Sequence, residues 1–411
     1  MSIAIIGGGI TGLTLALNLH QRDIACRVYE AAPEIKELGV GITLLPHGMR
    51  EFTALGLQET LLQAGIENKE SRFFNRFGQL IYTEPRGKYA GYDLPEVGIH
   101  RGRLHGTLYA AAVERLGADC IQVNRKCVGF EQTGDTVQLS FIETSSGTAV
   151  EPVSAEIAIA CDGVNSTLRK QIYPDDAVVF TGINTWRGTS VRKPIFDGRT
   201  YLRVGTIKTG KIVIYPIVDD YDGQGNQLIN WTAELQREGA PQNDWNKPGK
   251  LEDFFHIYED WRFDWLDVAD MISSSDNIFE YPMVDKDPLD QWTFDRVTLA
   301  GDAAHPMYPR GSNGSAQAVI DARALADHLK HEDNPLDALK AYEAERLEPT
   351  GKVVRTNRTS PPDAIIMRVE ELVGDRPFDN LDDYVSQDEL RDLSESYKAI
   401  AGFSKEALRT D

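Results

Sequence analysis

The hexapeptide Gly7-Gly8-Gly9-Ile10-Thr11-Gly12 follows the pattern Gly-x-Gly-x-x-Gly. It comes after the apolar run Ile3–Ile6 and opens a segment of helical periodicity, Thr11–Gln21. A second strand-like run, Arg27–Glu30, ends in an acid 18 residues after Gly12. In that setting each glycine has a mechanical reason. Gly7 allows the tight turn, Gly9 lets the backbone approach a pyrophosphate, and Gly12 lets helix and strand pack closely. The helix N-terminus adds N–H donors and a partial positive charge for a diphosphate. Glu30 is placed to accept hydrogen bonds from an adenosine ribose. The pattern implies a bound dinucleotide and does not by itself separate FAD from NAD.

Two later stretches have related chemistry. Cys161-Asp162-Gly163-Val164-Asn165-Ser166-Thr167-Leu168-Arg169 follows the apolar run Ile157–Ala160. It reads either as a second anion-binding corner or as a plain turn with Ser166 as a helix N-cap. The other runs Leu299-Ala300-Gly301-Asp302-Ala303-Ala304-His305-Pro306 and on through Met307-Tyr308-Pro309-Arg310-Gly311-Ser312-Asn313-Gly314-Ser315. A strand ending at Gly301-Asp302 places the Asp302 carboxylate to hydrogen-bond a polyol. The helix start near Asn313–Ser315 suits a delocalised anion. His305 reads either as a general base or as a histidine satisfied within its loop, and the loop context favours the second.

These stretches need a frame that brings them to one edge. Over the first 170 residues strands and helices alternate: after Arg27–Glu30 come a helix over Leu104–Leu116, closed by Gly117, and strands over Ile121–Phe130, Val137–Glu143 and Glu156–Ala160. Such order implies a parallel sheet with helices on its faces. From about Phe180 to Pro282 the texture changes. Tyr201–Ile207 and Lys211–Val218 flank a hairpin turn, Gln227–Leu235 is a third strand, and Lys250–Trp261 reads as helical. Trp186, Tyr201, Tyr215, Trp231, Trp245, Trp261, Trp265 and Tyr281 fall in this segment, which reads as a separate, mostly antiparallel sheet inserted into the first domain. The strand Arg296–Ala300, a helix from about Asn313 to Lys330, and helices near Pro335–Asn357, Asp363–Val373 and Gln387–Ala401 complete the chain. The predicted fold is α/β: a Rossmann-like domain in two parts (1–178 and 284–359), an inserted β-sheet domain (179–283) and a helical segment (360–411).

Composition excludes several other classes. Of 411 residues, 43 are Lys or Arg and 63 are Asp or Glu, a formal charge of −20. That balance, with no basic run, repels phosphate backbones and argues against nucleic acid and anionic membranes as partners. No apolar run approaches the roughly 18 residues that span a bilayer. The N-terminus reads as a first strand and not as a signal peptide. Cys26, Cys120, Cys127 and Cys161 form no Cys-x-x-Cys pair and read as reduced, mostly buried thiols of a cytoplasmic protein. No metal site is expected.

The three motifs, in this order and spacing, resemble the class A flavoprotein monooxygenases of the p-hydroxybenzoate hydroxylase type, with a Rossmann-like FAD domain of the GR2 type. His100-Arg101-Gly102, Gly39-Val40-Gly41-Ile42, the Asn313-Gly314 loop and Ala401-Gly402-Phe403 point to the salicylate-hydroxylase-like and phenazine-hydroxylating branch. The resemblance implies that Gly7, Gly9 and Gly12 cradle the FAD diphosphate and Glu30 binds its ribose. Arg101 would bind phosphate or ribose, the backbone at Val128 would flank the adenine, and Asp302 would bind the ribitol. Asp162 and Arg169 would lie near the pyrophosphate and assist NAD(P)H. Gly41 and Ile42 would approach the isoalloxazine, with Pro309 and the turn Gly311, Asn313 and Gly314 against the ring. Where the family usually has Asn or a small residue, this chain has Leu45-Pro46-His47-Gly48. His47 is therefore read as a substrate contact, against a purely structural alternative. Tyr201 and Tyr215 are candidate chamber residues, and a sheet rich in Trp and Tyr would exclude water. The implied reaction uses NADPH or NADH and O2 to hydroxylate an aromatic or N-heteroaromatic acid or phenol through a flavin C4a-hydroperoxide, with or without decarboxylation. The alternative is an FAD oxidase or dehydrogenase of the same fold without oxygen insertion. The chain is expected to be a monomer or a homodimer.

Overall fold

The computed structural model describes residues 1–36, 39–237, 247–359, 363–402 and 404–408. Trp245 and Phe403, singled out above, lie outside the described residues.

Ile3–Ile6 is buried along its whole length, as expected for a strand with helices on both faces. It pairs in parallel with Ile157–Ala160 on one side and Cys26–Tyr29 on the other. These strands belong to a six-stranded sheet, ordered Thr293–Phe294, Val297–Leu299, Ile157–Ala160, Ile3–Ile6, Cys26–Tyr29, Ile121–Gln122. The helix Ile10–Gln21 packs against Arg101–Leu116 and Gly314–His331. In this arrangement Gly7, Glu30, Asp162 and Asp302 follow the carboxyl ends of neighbouring strands, the edge where open α/β sheets bind ligands.

The second layer is a seven-stranded sheet, ordered Ile278–Asp285, Val179–Arg192, Gln227–Gln236, Gly210–Val218, Thr200–Thr206, Glu70–Phe74, Leu80–Pro85. Its pairings are antiparallel except that Thr200–Thr206 runs parallel to Glu70–Phe74. The inserted sheet expected within 179–283 therefore needs correcting, because two of its strands come from residues 70–85. Side chains alternate across it. Trp186, Leu202, Val204, Ile212, Ile214 and Trp231 face outward and bury Phe254, Tyr258 and Trp261. The inner face, turned toward the strand Gly41–Leu44, carries Tyr201, Val213 and Tyr215. The tryptophans expected to dry the chamber thus pack on the opposite face.

Two local readings also change. Lys250–Trp261 is not a continuous helix but two 3-10 turns, Leu251–Asp253 and Phe255–Ile257. Phe254, Tyr258 and Trp261 must all reach the sheet, and their burial overrides helical periodicity. Ile121–Phe130 is two strands, Ile121–Gln122 and Lys126–Thr133, which lie in different sheets. Asn124, at φ 58°, turns the chain between them, a conformation asparagine tolerates better than most residues. The helices Ala364–Val373 and Gln387–Ile400 close the far edge of the sheet, where Ile365, Ile366, Val369 and Leu390 pack on Phe73, Ile81 and Tyr82.

Candidate active site

The dinucleotide corner is shaped by what a side chain would hit. Gly7 has φ +106°, and a Cβ there would lie 2.4 Å from the Cys161 carbonyl oxygen. A Cβ on Gly12 would meet the Gly7 carbonyl oxygen at 2.0 Å, so helix and strand touch through bare backbone. Nothing lies within 4 Å of a Cβ built on Gly9. The helix that follows has no side-chain cap and no acid in its first turn, so its N–H donors face an open, electropositive recess. That recess fits a diphosphate. Glu30 first holds the turn itself, accepting from Gly8 N–H at 2.6 Å and Ala32 N–H at 2.7 Å. His105, which sequence reasoning missed, bonds the Gly8 carbonyl at 2.6 Å from one turn into the helix Arg101–Leu116.

Asp302 is exposed, yet its carboxyl is pushed up from its ordinary range, first by the surrounding protein, while His305 and then Arg101 pull it down. Its place just past the strand Val297–Leu299 puts it on the sheet edge where open α/β folds bind ligands in a cleft. Arg101 is also exposed, and its backbone N–H donates to Val40. Asp162 accepts from Thr167 N–H at 2.7 Å through Oδ2, and its buried Oδ1 has no partner among the described residues. Burial raises its pKa. Val128 is exposed on the strand Lys126–Thr133, next to the segment where Arg125 N–H donates to Glu30. Arg169 corrects the expectation. It is fully buried, grips Asp176 through Nε and Nη2 at 2.8 and 2.9 Å, and donates to the carbonyls of Ala303 and Ala304. It braces the Asp302 loop, and these bonds engage Nε, Nη1 and Nη2 of its guanidinium.

At the other end of the cleft, Gly41 and Ile42 open the strand Gly41–Leu44. Gly41 N–H donates to Asn230 Oδ1 at 2.7 Å, and a Cβ on Gly41 would come within 2.7 Å of the Asn230 Cβ. Asn230, also missed by sequence reasoning, locks this strand onto the sheet. The turn Pro309–Gly311 leaves Pro309 exposed. Gly311 is pressed against the Tyr397 hydroxyl, which a Cβ there would meet at 1.4 Å. Asn313 is the N-cap residue of the helix Gly314–His331, again with no acid in the first turn.

His47 does not line the open cleft. It is 1% exposed, and its Nε2 bonds Asn313 Oδ1 at 2.7 Å. Burial above all lowers its pKa to about 4. It begins a buried chain of contacts. Gln317 donates to Asn313 at 3.2 Å, Arg346 donates to Gln317 at 2.6 Å and to Asp321 at 2.8 Å, and Asp321 holds His305 at 2.5 Å and Gly301 N–H at 3.0 Å. His305 is therefore anchored in the core through Nε2, while its buried Nδ1 has no partner among the described residues, and Asp321, held at a pKa of about 2 against its burial by the groups around it, stays ionised. Single-residue signals do not reveal this chain, because its members span residues 47 to 346.

The inner face of the sheet forms the remaining wall. Tyr201 and Tyr215 are buried and stack at 4.8 Å with ring planes 10° apart. Burial pushes the Tyr215 hydroxyl far above its usual range, so it stays protonated. Arg203 lies 4.5 Å over the Tyr201 ring and donates to Ser71 at 2.8 Å. Lys211 contacts Glu234 at 2.8 Å and Asp363 at 2.7 Å, and Arg310 reaches Asp363 at 3.5 Å. The described residues contain no cluster that would hold a metal ion, and no helix among them is long and apolar enough to cross a membrane.

Residues 1–200 and 272–357 match the FAD binding domain family. The chain is similar to a phenazine 1,6-dicarboxylic acid hydroxylase of Lysobacter antibioticus, 38% identical over 87% of this chain and 89% of the relative. It also resembles a 3-hydroxybenzoate 6-hydroxylase of Aquipseudomonas alcaligenes, 28% identical over 87% of this chain and 88% of the relative. In fold it is similar to Klebsiella pneumoniae HpxO complexed with FAD and uric acid, at TM-score 0.75 and 20% identity over 99% of this chain and 96% of that one. The glycine cradle, the cleft leading to a tyrosine-lined wall and these likenesses have one reading: the chain belongs to the FAD binding domain family and, within it, to the class A flavin-dependent aromatic monooxygenases.

Proposed function

We propose that this monooxygenase hydroxylates an aromatic or N-heteroaromatic carboxylic acid, with the ring held between the Tyr201–Tyr215 stack and the Pro309–Gly311 turn. One observation carries the reading. The Gly41–Ile42 strand is bonded to Asn230 on the inner face of the sheet, where the buried pair Tyr201 and Tyr215 stack, and Arg310 of the turn with exposed Pro309 shares Asp363 with Lys211 of the same face. Bound FAD supplies hydride acceptance from NAD(P)H and activation of O2. The chain's own residues do the rest. The Gly7–Gly12 turn and the uncapped helix behind it hold the diphosphate, Arg101 and Asp302 bind the linker, and Asp162 Oδ1 offers a buried acceptor beside the turn. The N–H groups at the start of Gly314–His331 face the ring end and stabilise negative charge there. Asn313 is held in place by His47. Tyr215 and Tyr201 exclude water and orient the substrate ring. The hydroxylase relatives named for phenazine dicarboxylate and hydroxybenzoate support an acid as substrate.

The test is NADH and NADPH consumption by the yellow holoenzyme with a panel of aromatic acids, phenols and heteroaromatics, scored with product mass. Stimulated consumption with a gain of one oxygen is expected for an acid. Consumption matched entirely by H2O2, with no oxygenated product, would refute the reading.

A further inference from the structure

The register of the inner face shows what lies beneath the substrate. Arg187 pairs with Thr232, Thr232 with Val213, and Val213 with Arg203, which makes one straight row across four strands. The row on one side contains Asn230, which bonds Gly41. The row on the other contains Glu234 and Lys211, and Lys211 shares Asp363 with Arg310. The Arg187–Arg203 row is thus the stretch of sheet between the Gly41 strand and the Pro309–Gly311 turn.

Its two ends differ. Arg203 donates to Ser71 and approaches Asp363 at 3.8 Å. Arg187 has no hydrogen bond and no ion pair among the described residues. Its Nε is buried without a partner, and its guanidinium lies 5.6 Å over the Tyr281 ring. The surrounding charge points the same way. On this part of the face Arg187, Arg203, Lys211 and Arg310 stand against Glu234 and Asp363, in a chain whose formal charge is −20. Placing a guanidinium in a half-buried site without an anion is costly, and a planar carboxylate matches its fork.

We propose that Arg187 is the specificity residue that receives the substrate's carboxylate, with Tyr281 behind the guanidinium and the aromatic ring extending over Val213 toward Tyr215. This rests on the hydroxylase reading above. The experiment uses wild-type, Arg187→Met and Arg187→Lys holoenzymes with 3-hydroxybenzoate, 6-hydroxynicotinate and phenazine-1,6-dicarboxylate. Each acid is paired with its carboxamide, and FAD content, KM and kcat are measured. In Arg187→Met the preference for acid over amide should fall about 10–100-fold, mostly through KM. Arg187→Lys should recover part of it, and FAD content should match wild type. An unchanged acid-to-amide ratio in Arg187→Met, or equal loss of both, overturns the assignment while leaving the hydroxylase reading intact. So does a wild type stimulated only by uncharged phenols. A wild type that responds to no aromatic compound sinks the hydroxylase reading and this assignment together.

Discussion

Replacing Asp321 with asparagine tests whether the buried chain behind the flavin loops supports them. Asp321 Oδ2 accepts from Gly301 N–H and His305, and Oδ1 accepts from Arg346. An asparagine amide has only one oxygen. If it serves Gly301 and His305, its NH2 faces the Arg346 Nε–H, and the buried guanidinium keeps only Gln317. Breaking a buried pair on one side costs about 3–5 kcal/mol. At ~2.1 cal/mol/K per residue, 411 residues unfolding as one unit have an entropy of about 0.9 kcal/mol/K. The melting temperature should therefore fall by about 3–6 °C. Tryptophan fluorescence during a thermal ramp reads unfolding, and flavin fluorescence in the same ramp reads FAD release, which should occur at correspondingly lower temperature because Gly301 adjoins Asp302. A variant melting within 1 °C of wild type with FAD held normally would show that Asp321 does not carry the load assigned to it.

Two further changes probe the ends of the cleft. His47 is held near pKa 4 in the folded chain against an ordinary 6.5, so the unfolded chain binds the extra proton between those values and stability rises with pH across that window. Wild type should lose about 2 kcal/mol between pH 7 and pH 5 from this residue. Urea midpoints of His47→Asn should show a flatter acid limb, and an unchanged slope would contradict the assignment. Asp302→Ala removes the exposed carboxylate of the cleft and should yield protein largely free of FAD, measured as the flavin-to-protein absorbance ratio. Full occupancy would remove Asp302 from the cofactor site.

The parts legible in the sequence were those dictated by local sterics. The Gly7–Gly12 turn shows in the sequence because a Cβ on Gly12 or Gly7 would lie 2.0 or 2.4 Å from a backbone carbonyl oxygen, which tolerates no side chain. The strand ends at Asp162 and Asp302 show because apolar runs stop at turn residues. What was illegible depended on distant partners. Nothing near Arg169 announces that Asp176 and two carbonyls from residues 303 and 304 consume its guanidinium. His47 looked like a substrate contact because Asn313, its bond partner, lies 266 residues away. Strands Glu70–Phe74 and Leu80–Pro85 precede the change in texture at Phe180, so only a parallel pairing with Thr200–Thr206 reveals that they extend the second sheet. The expectation that a sheet rich in Trp and Tyr would exclude water does not extend to Trp186 and Trp231, because composition does not say which face of a strand a residue occupies.

The contact between Gly311 and Tyr397 bears on how this enzyme is born. The turn expected to face the flavin is backed by a side chain from Gln387–Ile400, and Asn313 and Gln317 both reach the Ala401 carbonyl. A nascent chain still lacking that helix has its glycine-rich recess but no rear support for the loop opposite it. Coenzyme loading would then be a late event in biosynthesis, completed when this helix docks, and shortened translation products would emerge colourless even though every FAD-binding motif had already been made.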